Sequence, residues 1–452
     1  VSELVVRGGT VITSGPLGTL TADVAIDGGV VAAVGADVGA GDDEIDARGC
    51  IVMPGLVQAH VHLCQTLMRG LADDYDVIDW LRERVWPMEQ AHDEATLGAS
   101  AALGIAELLC GGTTTALSME SIHHTEASFA AAHRLGIRAV IGKALMDRWE
   151  PGTEMVGEDT ETAWSDAVAH VERWHGAADG RIGVALSPRG PRNATPEMWR
   201  RVVALADDAD LCIHTHVNEN RAQADRLGAT PEGRDLVALR SWGALDRRLV
   251  MAHCVWLDEQ ERHLLRGSGA TVCHCPSANL KLASGIAPIP EYLGDGVNVA
   301  LGADGAACNN RLDMFTEMRS AALLHKPRYG PRAMPAATVV DMATMGGARA
   351  LGLERRIGSI EPGKAADVIV VRADRPHSRP LGGSHPHDTI VYATVASDVR
   401  DVVVDGRVVV RDGQLRTGDP AAIAADAEHA RATLLERCGL AQPAASAGPA
   451  GG

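Results

Sequence analysis

Residues 55–70, GLVQAHVHLCQTLMRG, place His60 and His62 one residue apart, with Gln65 just beyond. Residues i and i+2 of an extended strand face the same way, so these imidazoles stand about 7 Å apart along one face. Two ligands of one metal ion would be spaced this way. So would two packed histidines bonded to backbone groups, and the pair alone leaves both readings open. Three further clusters carry similar chemistry. HTHVNEN, residues 214–220, sets His216 three positions before Glu219. MAHCVWL ends an apolar run on His253, and LGADGAACNN ends another on Asp304. A carboxylate there is costly to bury unless it is paired or bound to a cation.

The elements that must position these residues follow from the rhythm of the chain. From about residue 56 to 354, apolar strand-like runs alternate with helix-period stretches such as EATLGASAALGIAELLCGG and TPEMWRRVVALADDA. Counting GCIVMPGLVQAHVHL, TTTALSME, RAVIGKALMD, RIGVALSPRG, LCIHTHVNEN, RLVMAHCVWL, ATVCHCPSA and VNVALGADGA gives eight strands. Strand–helix alternation predicts a parallel sheet with helices outside, and eight units predict a (β/α)8 TIM barrel. His60, His62, His216, His253 and Asp304 then fall at the C-terminal ends of strands one, five, six and eight, where barrel active sites lie. Closing the barrel brings those ends around one mouth, and the joint pattern points to a single metal centre.

The two ends of the chain have a different texture. Residues 1–55 and 355–418 are short alternating strands punctuated by Gly-Gly and Asp-Gly pairs, which read as hairpins. They predict one small discontinuous β-sandwich domain flanking the barrel at 56–354. Residues 419–452 read as a C-terminal helix and a disordered low-complexity tail.

Composition narrows the function classes. A formal net charge of −17 argues against a basic nucleic-acid groove. No apolar run is long enough to span a bilayer, and the N-terminal residues show no signal-peptide pattern. The nine cysteines follow no framework spacing and read as reduced and cytoplasmic. Cys273 and Cys275 form a C-x-C without a second thiolate pair, which reads as two strand residues rather than a zinc site.

Taken together, PGLVQAHVH, HTHVNEN, AHCVWLDEQE, HCPSANLKLASGIAPI, LGADGAACNN and GSIEPGKAADVIVV resemble the amidohydrolase superfamily. The nearest branch contains guanine deaminases, adenosylhomocysteine/methylthioadenosine deaminases and s-triazine hydrolases. The resemblance implies that His60, His62, His216 and Asp304 bind one divalent metal, with Glu219 as proton shuttle and His253 orienting the attacking water. It makes Asp304 the acceptor of the water proton as well. Three imidazoles and a carboxylate leave an open coordination position, as catalysis requires. Zinc suits such ligands and iron is the alternative. A carboxylated lysine on strand four bridges two metals in some relatives, but that strand has no lysine here. Lys143 lies one strand earlier. His214 is expected to pack beside the site and His274 to sit behind it. His123 and His124 are expected on a solvated loop.

The implied reaction is hydrolytic deamination of an amino-substituted N-heterocycle, an aminopurine base or nucleoside of guanine or adenosyl type. Alternatives are an s-triazine amino- or chlorohydrolase and, in another class, a non-catalytic barrel. The partner is a small heterocyclic substrate, and the resemblance implies a homo-oligomer, dimer or tetramer. Glu89 matches the position where adenosyl-specific relatives hold ribose hydroxyls. Arg189, in SPRGPR, and Gln65 match guanine-type positions and would suit a ring carbonyl. Replacing Arg189 and replacing Glu89 are then expected to change specificity in opposite senses. An ion pair is the alternative role for Arg189.

Overall fold

The computed structural model describes residues 1–149, 157–227, 233–381 and 384–440. The expected disordered tail, 441–452, lies outside them. Two sheets organise the chain. The first is built from β1 (Ser2–Ile12), β2 (Thr19–Asp27), β3 (Val30–Gly35), β4 (Gly41–Asp46) and β5 (Cys50–Pro54). The second is parallel and comprises β6 (Leu56–His62), β7 (Thr113–Met119), β8 (Arg138–Gly142), β9 (Ala144–Leu145), β10 (Ile182–Pro188), β11 (Cys212–Val217), β12 (Leu249–His253), β13 (Thr271–His274), β14 (Asn298–Leu301) and β15 (Asp304–Gly305). β16 (Val368–Arg372), β17 (Val399–Val404), β18 (Arg407–Arg411) and β19 (Gln414–Leu415) return to the first sheet, where β16 pairs antiparallel with β5.

The second sheet runs β14-β13-β12-β11-β10-β8-β7-β6-β15. β14 pairs with β13, while β15, three residues later, pairs with β6 through Asp304 and Val61. The last strand therefore bridges both edges and closes the predicted (β/α)8 barrel. The run read as the first barrel strand divides at Gly55. Cys50–Pro54 belongs to the terminal sheet, and only Leu56–His62 enters the barrel. A Cβ on Gly55 would stand 2.1 Å from Thr114 Oγ1, so only glycine lets the chain pass from one sheet to the other here.

The terminal sheet uses both of its faces, as period-2 strands allow. Val52, Val368, Val370 and Val403 join a core with Leu4, Val24 and Ile45. Ile51, Met53, Ile369, Val371 and Val402 point the other way, into the barrel's own core. Of the expected hairpins, those at Gly28-Gly29 and at the Asp405-Gly406 and Asp412-Gly413 pairs connect adjacent antiparallel strands. Gly8-Gly9 does not. It lies inside β1 as a bulge, with Gly8 at φ 66° and its N–H bonded to Asp23 Oδ1 at 2.8 Å. A Gly-Gly pair offers positive φ, which serves a bulge as well as a turn.

Arg138 on β8 fastens the two sheets. Its guanidinium donates to both oxygens of Asp367 at 2.9 and 3.0 Å and to Asp405 Oδ1 at 2.8 Å. Arg138 and Asp367 are buried. Arg138→Met would strand the Asp367 charge and is expected to cost about 3–5 kcal/mol of stability, read as a lower denaturant midpoint. A change below about 1 kcal/mol would show that the pair is not a fastening. The C-terminal helix spans Pro420–Arg437, with the Asp419 carboxylate accepting from Ala421 N–H at its start. Among the described residues no helix is long and apolar enough to cross a membrane.

Candidate metal centre and active site

His60 and His62 end β6, His216 lies on β11, His253 ends β12 and Asp304 begins β15, all at one mouth of the barrel. The β6–β15 pairing sets Asp304 beside the two β6 histidines. Its Oδ1 is 3.2 Å from both His60 Nε2 and His62 Nε2. The β11–β12 register, Val217 opposite His253, sets His216 next to His253. His62 Nε2 and His216 Nε2 face each other at 3.3 Å. The ligand atoms of His60, His62 and His216 lie within 4.8 Å of one another, as do those of His60, His253 and Asp304.

The outer ring nitrogens fix the tautomers. His62 Nδ1–H donates to the Met119 carbonyl at 2.7 Å, and His216 Nδ1–H donates to the Arg189 carbonyl at 2.5 Å. A carbonyl accepts only, so in the neutral ring each Nε2 turns a lone pair to the centre; burial works against a charged His62, but Asp304 beside it outweighs burial and raises that imidazole. His60 Nδ1 bonds His214 Nε2 at 2.7 Å, which is the role expected of His214 as a neighbour. His60 Nε2 is buried with no hydrogen-bond partner. Burial pushes His60 down to about 4 and His216 well below its ordinary value, so both are neutral imidazoles at neutral pH. Lone pairs aimed at each other beside a carboxylate repel unless a cation lies between them. The donor set therefore fits a divalent metal. Burial works to raise the Asp304 carboxyl, but the imidazoles of His60 and His62 beside it hold it well below the carboxylate range.

Glu219 and His253 stand beside this centre. Glu219 Oε2 is 3.7 Å from His253 Nε2, and His253 Nε2 is 3.9 Å from Asp304 Oδ2. Burial raises the Glu219 carboxyl, favouring the protonated form that can donate. Both groups are braced by one turn after β13. Asn279 Oδ1 accepts from His253 Nδ1–H at 2.8 Å, and Ser284 Oγ donates to Glu219 Oε1 at 3.0 Å. Sequence reasoning missed these two supports, because neither belongs to a His or carboxylate spacing. His253, Asn218 and Asp304 all have positive φ, at 74°, 43° and 63°. Such conformations are uncommon outside glycine, although Asn, Asp and His adopt them more readily than other types, and they cluster at functional sites.

The adjoining cavity is lined by the apolar Val77, Ile78, Trp80, Leu81 and Trp86 and by the polar Arg189, Asn193 and Asp235. Two tryptophans and aliphatic groups suit a flat heterocycle.

Gln65 and Arg189 reach this cavity, but Glu89 does not line it. Both Glu89 oxygens are engaged. Arg189 Nη1 and Nη2 donate to Oε2 and Oε1 at 2.6 and 3.2 Å, and Gln65 Nε2 donates to Oε1 at 2.9 Å. Burial works against the Glu89 carboxylate, yet Arg189 holds it below the ordinary range. Arg189 thus takes the ion-pair role with Glu89 while still lining the cavity, and the pairing favours effects in the same sense over opposite ones. Arg189→Ala and Glu89→Ala each strand a buried charge. Both are expected to lower kcat/KM in the same direction on free bases and nucleosides, with the double variant losing less than the product of the single losses. Opposite preferences across the two substrate types would show that each residue reads substrate separately.

The remaining candidates lie elsewhere. Lys143 is buried against Glu158 Oε1 and Asp166 Oδ2 at 2.7 and 3.1 Å, and its ammonium also meets the Ile122 carbonyl. His124 stands at the N-terminal cap position of the helix Thr125–Leu135 at φ 61° without a side-chain bond to it, and His123 is exposed, 3.8 Å from Glu158. His274 is buried against His325 with ring centroids 5.6 Å apart. Cys273 and Cys275 are buried and unpaired, and no third ligand joins them among the described residues.

Known proteins resemble the whole chain. A 5-methylthioadenosine/S-adenosylhomocysteine deaminase from Desulforudis audaxviator is 38% identical over 423 residues, 92% of this chain and 95% of that protein. An adenosine deaminase from Xanthomonas campestris, solved with bound zinc, superposes with a TM-score of 0.90 at 34% identity, covering 96% of this chain and 99% of that one. Atrazine chlorohydrolase from Arthrobacter aurescens TC1, solved with zinc, gives a TM-score of 0.88 at 27% identity, covering 95% and 100%. The model of the amidohydrolase family matches residues 51–409, from β5 through β18, and the chain belongs to that family.

Proposed function

We propose that this protein is a metal-dependent deaminase of an aminopurine nucleoside, adenosyl rather than guanine in type. Water adds to the ring carbon that bears the amine, that C–N bond breaks, and ammonia leaves an oxopurine. The observation that carries this reading is the convergence of three imidazole Nε2 atoms and Asp304 beside Glu219 and His253, at the foot of a tryptophan-walled cavity. The adenosyl preference is supported by the whole-length likeness to deaminases named for such substrates. The locked Arg189–Glu89 pair leaves the guanine-type arginine less able to serve a ring carbonyl.

His60, His62, His216 and Asp304 would hold one divalent ion, zinc in the first instance. That ion supplies the positive charge that acidifies water near neutral pH. Asp304 accepts the proton that the attacking water gives up. Glu219, whose carboxyl burial shifts towards the protonated form and which Ser284 holds, donates to the ring nitrogen next to the amine-bearing carbon, which makes that carbon electrophilic. His253, held by Asn279, orients the water. The Trp80 and Trp86 wall holds the ring and limits bulk water.

The expected homo-oligomer and cytoplasmic setting belong to the same proposal, and sedimentation tests the first. A triazine hydrolase is the second reading, favoured by the likeness to atrazine chlorohydrolase. Ammonia and chloride release from 5′-methylthioadenosine, S-adenosylhomocysteine, adenosine, guanine and atrazine decides between them. Fastest turnover on an adenosyl compound is expected. Turnover confined to guanine or atrazine would overturn the proposal.

A further inference from the structure

The turn that carries Glu219 pivots on Asn218, whose φ of 43° lies in the left-handed region. Asn tolerates that region better than most residues, but something must hold it there. Three bonds do so. Its N–H donates to Asp235 Oδ2 at 3.0 Å, its side-chain amide to Glu261 Oε1 at 2.7 Å, and its carbonyl accepts from Trp256 N–H at 3.0 Å. Asp235 and Glu261 are 4% and 0% exposed. They start or occupy the helices Asp235–Ser241 and Glu259–Leu265, and Leu236 N–H to Glu261 Oε1 at 3.1 Å ties those helices together. Glu261 Oε2 is in turn met by Arg234 Nε at 2.7 Å and Asp258 N–H at 3.1 Å. Asp235 is therefore seated on a rigid frame. It also borders the cavity, with Arg192 Nε 3.6 Å from its Oδ1.

We propose that Asp235 is a positioning residue for the deamination: by accepting the Asn218 N–H it holds residues 217–220 so that Glu219 meets Ser284 and the substrate ring. This rests on the role given to Glu219 above. A carboxylate is a stronger acceptor for a backbone amide than a neutral group. It can hold a turn in a conformation the backbone resists. Displacing a proton donor by about 1 Å costs on the order of 10²-fold in rate. An acceptor one residue from Glu219 is well placed to prevent that.

The test is a mutant cycle with Glu219→Gln, read as kcat and KM, metal per chain and melting temperature. Asp235→Leu removes the acceptor at similar size. It is expected to lower kcat about 10- to 100-fold, with KM and metal content close to wild type. Asp235→Asn keeps an acceptor oxygen and is expected to restore most of that kcat. In the Glu219→Gln background, Asp235→Leu is expected to have no further effect, because the donor it positions is already gone. Equal losses from Asp235→Leu in both backgrounds would overturn the proposal. So would an Asp235→Asn loss as large as that of Asp235→Leu and confined to KM, the mark of a charge that binds substrate. Should Asp235→Leu not fold, Asp235→Ala takes its place in the cycle, since it removes the same acceptor without adding bulk. Undiminished turnover by Glu219→Gln would instead overturn the role of Glu219. A dead Glu219→Gln with an unimpaired Asp235→Leu would overturn only the positioning claim.

Discussion

His62→Ala is expected to purify with far less than one divalent ion per chain and to lose at least about 10³-fold in kcat/KM. His62 Nε2 sits 3.2 Å from Asp304 Oδ1 and 3.3 Å from His216 Nε2, so its ring borders both groups that would share the ion. Its Nδ1–H is anchored to the Met119 carbonyl at 2.7 Å. Lewis-acid stabilisation of developing charge is worth several kcal/mol. At about 1.4 kcal/mol per tenfold, that is three decades or more. Metal analysis by plasma mass spectrometry, alongside ammonia release, reads both quantities. Wild-type protein that is active without stoichiometric metal would remove the basis of the prediction. A His62→Ala protein that keeps its ion would show that the other three ligands suffice.

Glu219→Gln is expected to keep the metal and lose about 10²–10⁴-fold in kcat, the range of general acid–base catalysis. Glutamine preserves the bond from Ser284 Oγ and the shape of the side chain, so only the acidic proton is removed. Burial raises the Glu219 carboxyl, so the donor form persists to higher pH than for an exposed glutamate. Wild-type kcat should then fall as pH rises through that shifted value and the proton is lost. The variant should lack that alkaline limb. The measurement is kcat against pH for both proteins at equal metal content. A variant that loses metal yet turns over normally per bound ion would make Glu219 a ligand rather than a donor.

The sequence was most informative where chemistry follows from spacing within one element. His60 and His62 share a face because a strand repeats every two residues. The alternation of apolar runs with helix-period stretches required a parallel barrel, and the barrel in turn required that strand ends meet at one mouth. Those relations are short in sequence and set by backbone geometry, so they survive without coordinates. They suffice to gather His60, His62, His216, Glu219, His253 and Asp304 at one end of the barrel.

Tertiary structure decided what depends on how far a side chain reaches between elements. Glu89 reads as a substrate acceptor by position, yet Arg189, a hundred residues away, occupies both its oxygens. Gly8-Gly9 reads as a turn, yet its partner strand makes it a bulge. Asn279, Ser284 and Glu261 fall in stretches that carry the family resemblance and Asp235 in none, yet no spacing assigns any of them a role, because any polar residue at the right point in space could brace the groups they touch. Periodicity decides which residues share a face. Which of them meet across the barrel is decided by closure: when β15 pairs with β6, Asp304 comes within 3.2 Å of two histidines more than two hundred residues earlier in the chain.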